Sequence, residues 1–290
     1  MSIVSKPFVW LQHALPHHGL SRFAGRFAAS ENPWIKDLLI RRFILAYDVD
    51  MGEAERPERD YKSFNDFFTR TLKHDARPIA DASRHIVSPA DGAISQLGRI
   101  TDGRIVQAKG RDFSVRELLG GDADLARRFH NGQFATIYLS PRDYHRVHMP
   151  VSGTLASTTY VPGQLFSVNA ATAQGVEGLF ARNERLACIF DTELGTVASV
   201  MVGAMIVAGI ETSWSGPVEP HGKALIRSVL AEAEGGEAPS YEAGDEMGKF
   251  LLGSTVVLLF EEGRIEWLAD FRPGDKVRMG QAIARRLDAE

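Results

Sequence analysis

A single cysteine, Cys188, stands in the 290 residues. One thiol rules out an intrachain disulfide and removes the Cys clusters that hold structural zinc or iron–sulfur centres. Its neighbours, Leu186 to Phe190, are those of a small buried hydrophobe rather than a nucleophile. An excess of one charge is missing too. The formal net charge is -4 with 24% charged residues, which excludes an acidic disordered chain and a strongly basic nucleic-acid binder. There is no glycine-rich phosphate loop and no regular alternation of strand and helix patterns. Long hydrophobic runs are absent as well. The longest uncharged stretch, Leu194 to Ile210, is short for a membrane-spanning helix, is rich in valine, and carries Ser199, Gly203 and Gly209. It reads as buried strands with a bend near Gly203. No secretory signal is evident at the N-terminus. What is present is apolar mass: 44% hydrophobic residues, enough for a sizeable core.

Residues 1–50 read as short helices. Phe8, Trp10, Leu11 and Leu15 precede Pro16; Leu20, Phe23 and Phe27 follow at helical spacing beside Arg22 and Arg26. Asn32 and Pro33 form a helix-start signature. The helix they open carries Trp34, Ile35, Leu38, Leu39 and Phe43, with Lys36, Arg41 and Arg42 among them. Such stripes fit helices lying in a membrane interface, and equally helices docked on a domain with their arginines in water. Residues 51–85 form a linker and a packing helix: Pro57 lies in a charged stretch, and Ser63 with Asp66 makes a capping box for a helix through Leu72.

From about Ile86 the texture turns to strands, with short apolar stretches between glycine turns. Phe134 to Leu139 and Val256 to Phe260 are the strongest, and short helices are expected at Val115 to Leu119 and Asp124 to Phe129. Residues 86–290 are expected to form one β-rich catalytic domain in an α+β, mainly antiparallel fold.

Three polar stretches interrupt this body. Ser88-Pro89-Ala90-Asp91-Gly92 holds a turn pair. Tyr144-His145-Arg146-Val147-His148 directly follows an apolar strand, with two histidines three residues apart. Gly253-Ser254-Thr255 opens the last strong strand. No Glu or Cys completes a metal motif around the histidines, so no metal is expected. Asp91, His148 and Ser254 supply the residue types of an Asp-His-Ser triad, which is recognised by roles and not by order. No nucleophile-elbow pattern surrounds Ser254. On residues alone, the chain reads as a hydrolase or a self-processing enzyme; a serine hydrolase on a lipid ester and a non-enzymatic lipid-binding protein stay open beside it.

These stretches, together with Phe166-Ser167-Val168-Asn169 and Phe180-Ala181-Arg182-Asn183-Glu184-Arg185, resemble in content and order the bacterial membrane-associated phosphatidylserine decarboxylase proenzymes. Ala170 departs from the histidine or proline usual there. The resemblance implies a precursor that cuts itself between Gly253 and Ser254 into chains 1–253 and 254–290. It implies that Asp91 and His148 activate Ser254, which becomes a covalent pyruvoyl group. That group forms a Schiff base with phosphatidylserine and releases carbon dioxide, leaving phosphatidylethanolamine. His145 is expected at the substrate carboxylate or the proton that follows, and Tyr144, Phe166, Ser167 and Asn169 at the substrate. A core like the barrel-sandwich hybrids and a homodimer of processed units are also implied. So is peripheral binding at the cytoplasmic face of a bacterial membrane, on anionic phospholipid through Phe23, Phe27, Trp34 and Leu38.

Overall fold

A computed structural model of the chain describes residues 17–204, 209–218, 224–229, 238–251 and 254–287. Phe8, Trp10, Leu11, Leu15, Leu252 and Gly253 lie outside the described residues, as do the side chains of Leu20, Arg22 and Phe23.

Among the described residues the strands run, in chain order, β1 His85–Val87, β2 Gly92–Arg99, β3 Arg104–Ala108, β4 Arg111–Ser114, β5 Gln133–Leu139, β6 Arg146–His148, β7 Gly153–Val161, β8 Arg185–Thr192, β9 Gly195–Gly203, β10 Ile210–Thr212, β11 Gly216–Val218, β12 Ile226–Val229, β13 Ser240–Tyr241, β14 Glu246–Phe250, β15 Ser254–Phe260, β16 Ile265–Trp267, β17 Lys276–Val277 and β18 Ala282–Arg286. The main sheet has nine strands in the order β12-β7-β8-β9-β15-β5-β2-β17, with β13 also on β7. Its neighbours pair antiparallel. A second sheet, β11-β10-β14-β6, shares a core with one of its faces.

The strand β15 shows why the sequence folds this way. All seven of its residues are buried. Successive side chains of a strand point to opposite faces, so a continuous apolar run needs a core on both sides. Val256, Leu258 and Phe260 enter one cluster with Ile137, Val147, Met247 and Phe250. Val257 and Leu259 enter the other with Phe134, Val200, Val202 and Phe180. Full burial of each such side chain is worth about 1.5–3 kcal/mol.

The expected α+β, mainly antiparallel character is present, but the barrel-sandwich hybrid is not. The main sheet is open: its path ends at β12 on one side and β17 on the other, and those strands do not pair. Closure needs a pairing between first and last strands, a long-range property that period-two patterning in single strands does not encode.

The helical layer is built on aromatics. Asn32 caps the helix Pro33–Tyr47, its side-chain oxygen accepting from the Trp34 amide at 3.0 Å. The inward side of that helix packs Ile40, Phe43 and Ile44 on Tyr61, Phe64, Phe67 and Phe68. The Ser63-capped helix is shorter than expected, Phe64–Phe68. Asp66 does not close a capping box on Ser63; its carboxylate takes the Lys62 amide and the Arg56 guanidinium instead.

Candidate active site

Ser254 is the first residue of β15, opposite Leu139 of β5 and Gly203 of β9. Strand periodicity puts its side chain on the face of Val256 and Leu258, the face that shares a core with β6 and β14. It is fully buried, and its Oγ has no hydrogen-bond partner among the described residues.

One residue beyond Leu139 the chain turns. The Asp143 carboxylate accepts from both the amide and the hydroxyl of Ser140, each at 2.7 Å. This turn ends β5 and delivers Tyr144 and His145 beside the sheet. His145 is fully buried, and its ring packs on Phe68 with centroids 4.0 Å apart. Its Nδ1 lies 2.8 Å from the Asp143 carbonyl. A carbonyl only accepts, so Nδ1 carries the proton and Nε2 the lone pair. That Nε2 has no partner. Burial, with the Arg70 guanidinium nearby, pushes the imidazole down to about 3, so it is neutral at ordinary pH.

His148 is held differently. Its Nδ1 donates to the Gly244 carbonyl at 2.7 Å, and the Tyr144 hydroxyl donates to its Nε2 at 3.0 Å. Burial lowers its pKa and raises that of Tyr144. The basic lone pair of His148 is thus on Nε2, under a phenol.

Asp91 does not hydrogen-bond His148. Its carboxylate accepts from Arg77 Nε at 2.8 Å, from Arg77 Nη2, and from the Met279 amide at 2.9 Å. The two segments touch through backbone, the His148 amide donating to Pro89 at 2.8 Å. The fork of Arg77 matches a carboxylate bidentately, which a single imidazole N–H does not. Gly92 completes the corner: a Cβ there would meet the Tyr138 carbonyl oxygen at 2.4 Å.

The expected substrate contacts are divided. Tyr144 lies in the site, and with Asp91 it lines a polar cleft of about 270 Å³. Phe166 is buried in the core. The Asn169 side chain caps the helix Ala170–Gly175, accepting from the Thr172 amide at 3.0 Å, and Ser167 precedes it in the same loop. That loop is joined to Ser254 by a residue given no role from sequence. Asn183 accepts from the Phe166 amide at 3.1 Å and donates to the carbonyls of Phe166 and Gly203, each at 2.8 Å. Gly203 is the β9 partner of Ser254. The signal for Asn183 was in the sequence as a polar residue between the apolar stretch at Leu179–Phe180 and β8, but its partners are seventeen and twenty residues away. Arg77 was missed for the same reason.

The residues at the head of β15 suit a group made from Ser254 itself. Its hydroxyl is a buried polar atom with no partner among the described residues, and so is available for reaction.

Comparison with known proteins agrees. The phosphatidylserine decarboxylase family pattern matches residues 64–285, and a second pattern described as PSD matches residues 7–48. The phosphatidylserine decarboxylase proenzyme of Alcanivorax borkumensis is 55% identical over 281 residues, covering 96% of each chain. That of Saccharophagus degradans is 55% identical over 278 residues, again 96% of each. That of Bordetella pertussis is 56% identical over 279 residues, 96% of this chain and 93% of its own. With a family pattern spanning most of the length and relatives this similar from end to end, the chain belongs to the phosphatidylserine decarboxylase family.

Proposed function

We propose that the chain is made as a precursor, cuts itself between Gly253 and Ser254, and then decarboxylates phosphatidylserine to phosphatidylethanolamine. The observation that carries this reading is the Ser254 hydroxyl, buried and unbonded at the head of the central strand. Its oxygen attacks the Gly253 carbonyl carbon; the C–O bond forms as the C–N bond breaks, and the freed amine takes a proton. Loss of the Ser254 α-proton then expels the Gly253 carboxylate and leaves dehydroalanine. Water replaces its nitrogen, ammonia departs, and the pyruvoyl group remains on the small chain.

His148 is the base, through Nε2. The Tyr144 hydroxyl sits on that nitrogen, so the serine proton reaches it by displacing Tyr144 or by passing through it. Gly244 fixes the tautomer. Asp91 supports the imidazolium by its charge and not by a direct hydrogen bond. The pyruvoyl group supplies an electron-withdrawing carbonyl for an amine substrate, the sink that lets a carboxylate leave as carbon dioxide. His145 holds or delivers a proton at its bare Nε2.

Cutting leaves the sheet whole. The small chain keeps seven register pairs with β5 and seven with β9, while β17 stays on β2 and β18 on β1.

The helical region 1–50 serves as the membrane contact, 51–85 as the link, and 86–290 as the catalytic body. No helix among the described residues is long and apolar enough to cross a membrane. The helix Pro33–Tyr47 nevertheless turns Trp34, 87% exposed, Leu38, 58%, and Leu45, 81%, to solvent, with Phe27 half-exposed nearby. Arg42 is exposed and free to meet anionic headgroups, at about 1 kcal/mol. Lys36 is turned inward, to Asp37 and the Arg59 carbonyl.

Intact mass of the purified protein, before and after borohydride, tests the chemistry. Two fragments broken at Ser254, the smaller gaining mass by reduction of its carbonyl, are expected. A single unmodified chain in active enzyme overturns the reading in favour of a serine hydrolase. Sedimentation with anionic vesicles tests the anchor: Trp34→Glu with Leu38→Glu should weaken binding by more than about tenfold.

A further inference from the structure

Three arginines are buried among the described residues, and two have ordinary structural explanations. Arg185 donates Nε to Leu118 at 2.7 Å, Nη1 to Asn183 at 2.8 Å and Nη2 to Glu117 at 2.5 Å, all backbone carbonyls. Arg77 is clamped by Asp91 and Glu53. Arg70 is solved at one nitrogen only, Nη2, which meets backbone carbonyls. It is only 3% exposed, yet its Nε and Nη1 have no hydrogen-bond partner, and no carboxylate pairs with it. Its face lies over Phe67, 5.5 Å from the ring centroid. A buried cation with two of its three nitrogens unbonded is costly, and such a group calls for an explanation, a bound ion among them.

Its surroundings say which ligand. Arg70 lines the 270 Å³ cleft shared by Asp91 and Tyr144. Of the carboxylates that line it, Asp91 and Glu53 are taken by Arg77, Asp143 by Ser140 and Asp50 by the Gly52 amide; Asp48 lines it too, and Arg142, Lys276 and Arg278 add positive charge. Arg70 is also tied to the reacting segment. Its Nη2 donates to the Arg142 carbonyl at 2.9 Å and, more weakly, to the Asp143 carbonyl at 3.5 Å. The Asp143 carbonyl is the one that His145 Nδ1 engages. One oxygen therefore spaces an unsatisfied guanidinium and a histidine with a bare Nε2.

We propose that Arg70 is the receptor for an oxyanion of the substrate headgroup, carboxylate or phosphate, which it holds beside His145. This rests on the decarboxylase reading for its source of ligand but not for its site. Charge-assisted hydrogen bonds to a buried anion are worth about 1.5–3 kcal/mol, or about ten- to hundredfold in affinity.

The test uses the full-length, uncut Ser254→Ala protein, so it does not depend on cutting or turnover. Inorganic phosphate is titrated and binding read by ³¹P line broadening. Saturable binding is expected, weakened about tenfold or more when Arg70→Gln is added, with Arg70→Lys intermediate. Short-chain phosphatidylserine should displace the phosphate; displacement by the matching phosphatidylcholine as well assigns the lipid phosphate to Arg70, and displacement by phosphatidylserine alone assigns the serine carboxylate. Where Arg70→Gln does not fold, the Ser254→Ala protein alone decides: phosphate should slow phenylglyoxal modification of Arg70, located by peptide mass. In the cut enzyme, Arg70→Gln should raise KM for phosphatidylserine about tenfold or more. Absence of saturable phosphate binding, or equal binding with and without Arg70, overturns the site. Phosphate binding at Arg70 that phosphatidylserine does not displace overturns the headgroup assignment. Absence of cutting and turnover in the wild type would sink the decarboxylase reading while leaving the phosphate result to stand or fall separately.

Discussion

Around the Asp91 carboxylate the polar groups are paired. Arg77 bridges Asp91 and Glu53, Arg278 reaches Glu53 as well, and the Met279 amide takes the remaining side of Asp91. At the head of β15, and where Arg70 meets the turn that follows β5, the reverse holds. Ser254 Oγ, Thr255 Oγ1, His145 Nε2 and two nitrogens of Arg70 are buried without partners. The first region is held by its polar groups, and the second is held in spite of them. Each unmade hydrogen bond costs about 1–3 kcal/mol, and the cost is carried by the apolar ladder from Val256 to Phe260. Bare buried groups occur elsewhere too, at Asn65, Thr136, Ser199 and Arg286, but singly; here Ser254 and His145 bring a hydroxyl and a basic nitrogen, the types that react.

Ser254→Ala cuts most deeply into this contrast. It should abolish cutting, leaving one intact chain by mass. Because the lost hydroxyl bonds nothing, the melting temperature should not fall below that of another uncut form such as His148→Ala. A large loss of stability would mean that the hydroxyl belongs to the scaffold.

Arg77→Ala should do the opposite. Removing one partner of a buried ion pair leaves Asp91 with the Met279 amide but no cation, and Glu53 with only the more exposed Arg278; about 3–5 kcal/mol of stability should go, read from denaturant unfolding of the uncut Ser254→Ala chain. Adding Asp91→Asn should recover part of it. A loss under about 1 kcal/mol would show that the network is not what holds the corner.

The contrast between the two regions also explains what was legible in the sequence. Local signals carried far: Asn32 and Pro33 open a helix, Ser63 caps one, and the run from Val256 is a strand buried on both faces. Asp91, His145, His148 and Ser254 announced themselves as polar types in apolar settings. Partner choice did not show. Arg77 lies fourteen residues from Asp91 and Met279 lies 188 away, and no spacing rule makes Arg77 a better partner for Asp91 than His148. Asp66 went to Arg56 for the same reason, and the open sheet was read as closed because closure depends on which distant strands meet.

Acid should separate the two regions next. His145 has its folded pKa depressed from 6.5 to about 3 by burial, and His148 is depressed in the same direction. The unfolded chain therefore binds more protons than the folded one below pH 6.5, so stability falls as pH falls through that value. Each histidine contributes a slope of about 1.4 kcal/mol per pH unit where it is charged only when unfolded. For His145 that window extends down to about pH 3. His145→Phe should remove its share of the slope in unfolding midpoints between pH 6.5 and about 4.5. An unchanged slope would mean that His145 is charged in the fold.

Tyr144→Phe is the gentlest change and bears on how the bare region is kept bare. The phenol donates to His148 Nε2, so it occupies the one lone pair on the ring that the Gly244 carbonyl leaves free. If it is only a cover, cutting must first break that hydrogen bond, at about 1 kcal/mol. Tyr144→Phe should then cut about fivefold faster, followed by the appearance of the small chain after synthesis in a cell-free system. Slower cutting would reverse its role: the phenol would be the relay through which the Ser254 proton reaches His148. In that case Tyr144 would belong with the groups that react and not with those that wait, and the boundary between the two regions would move to the far side of its ring.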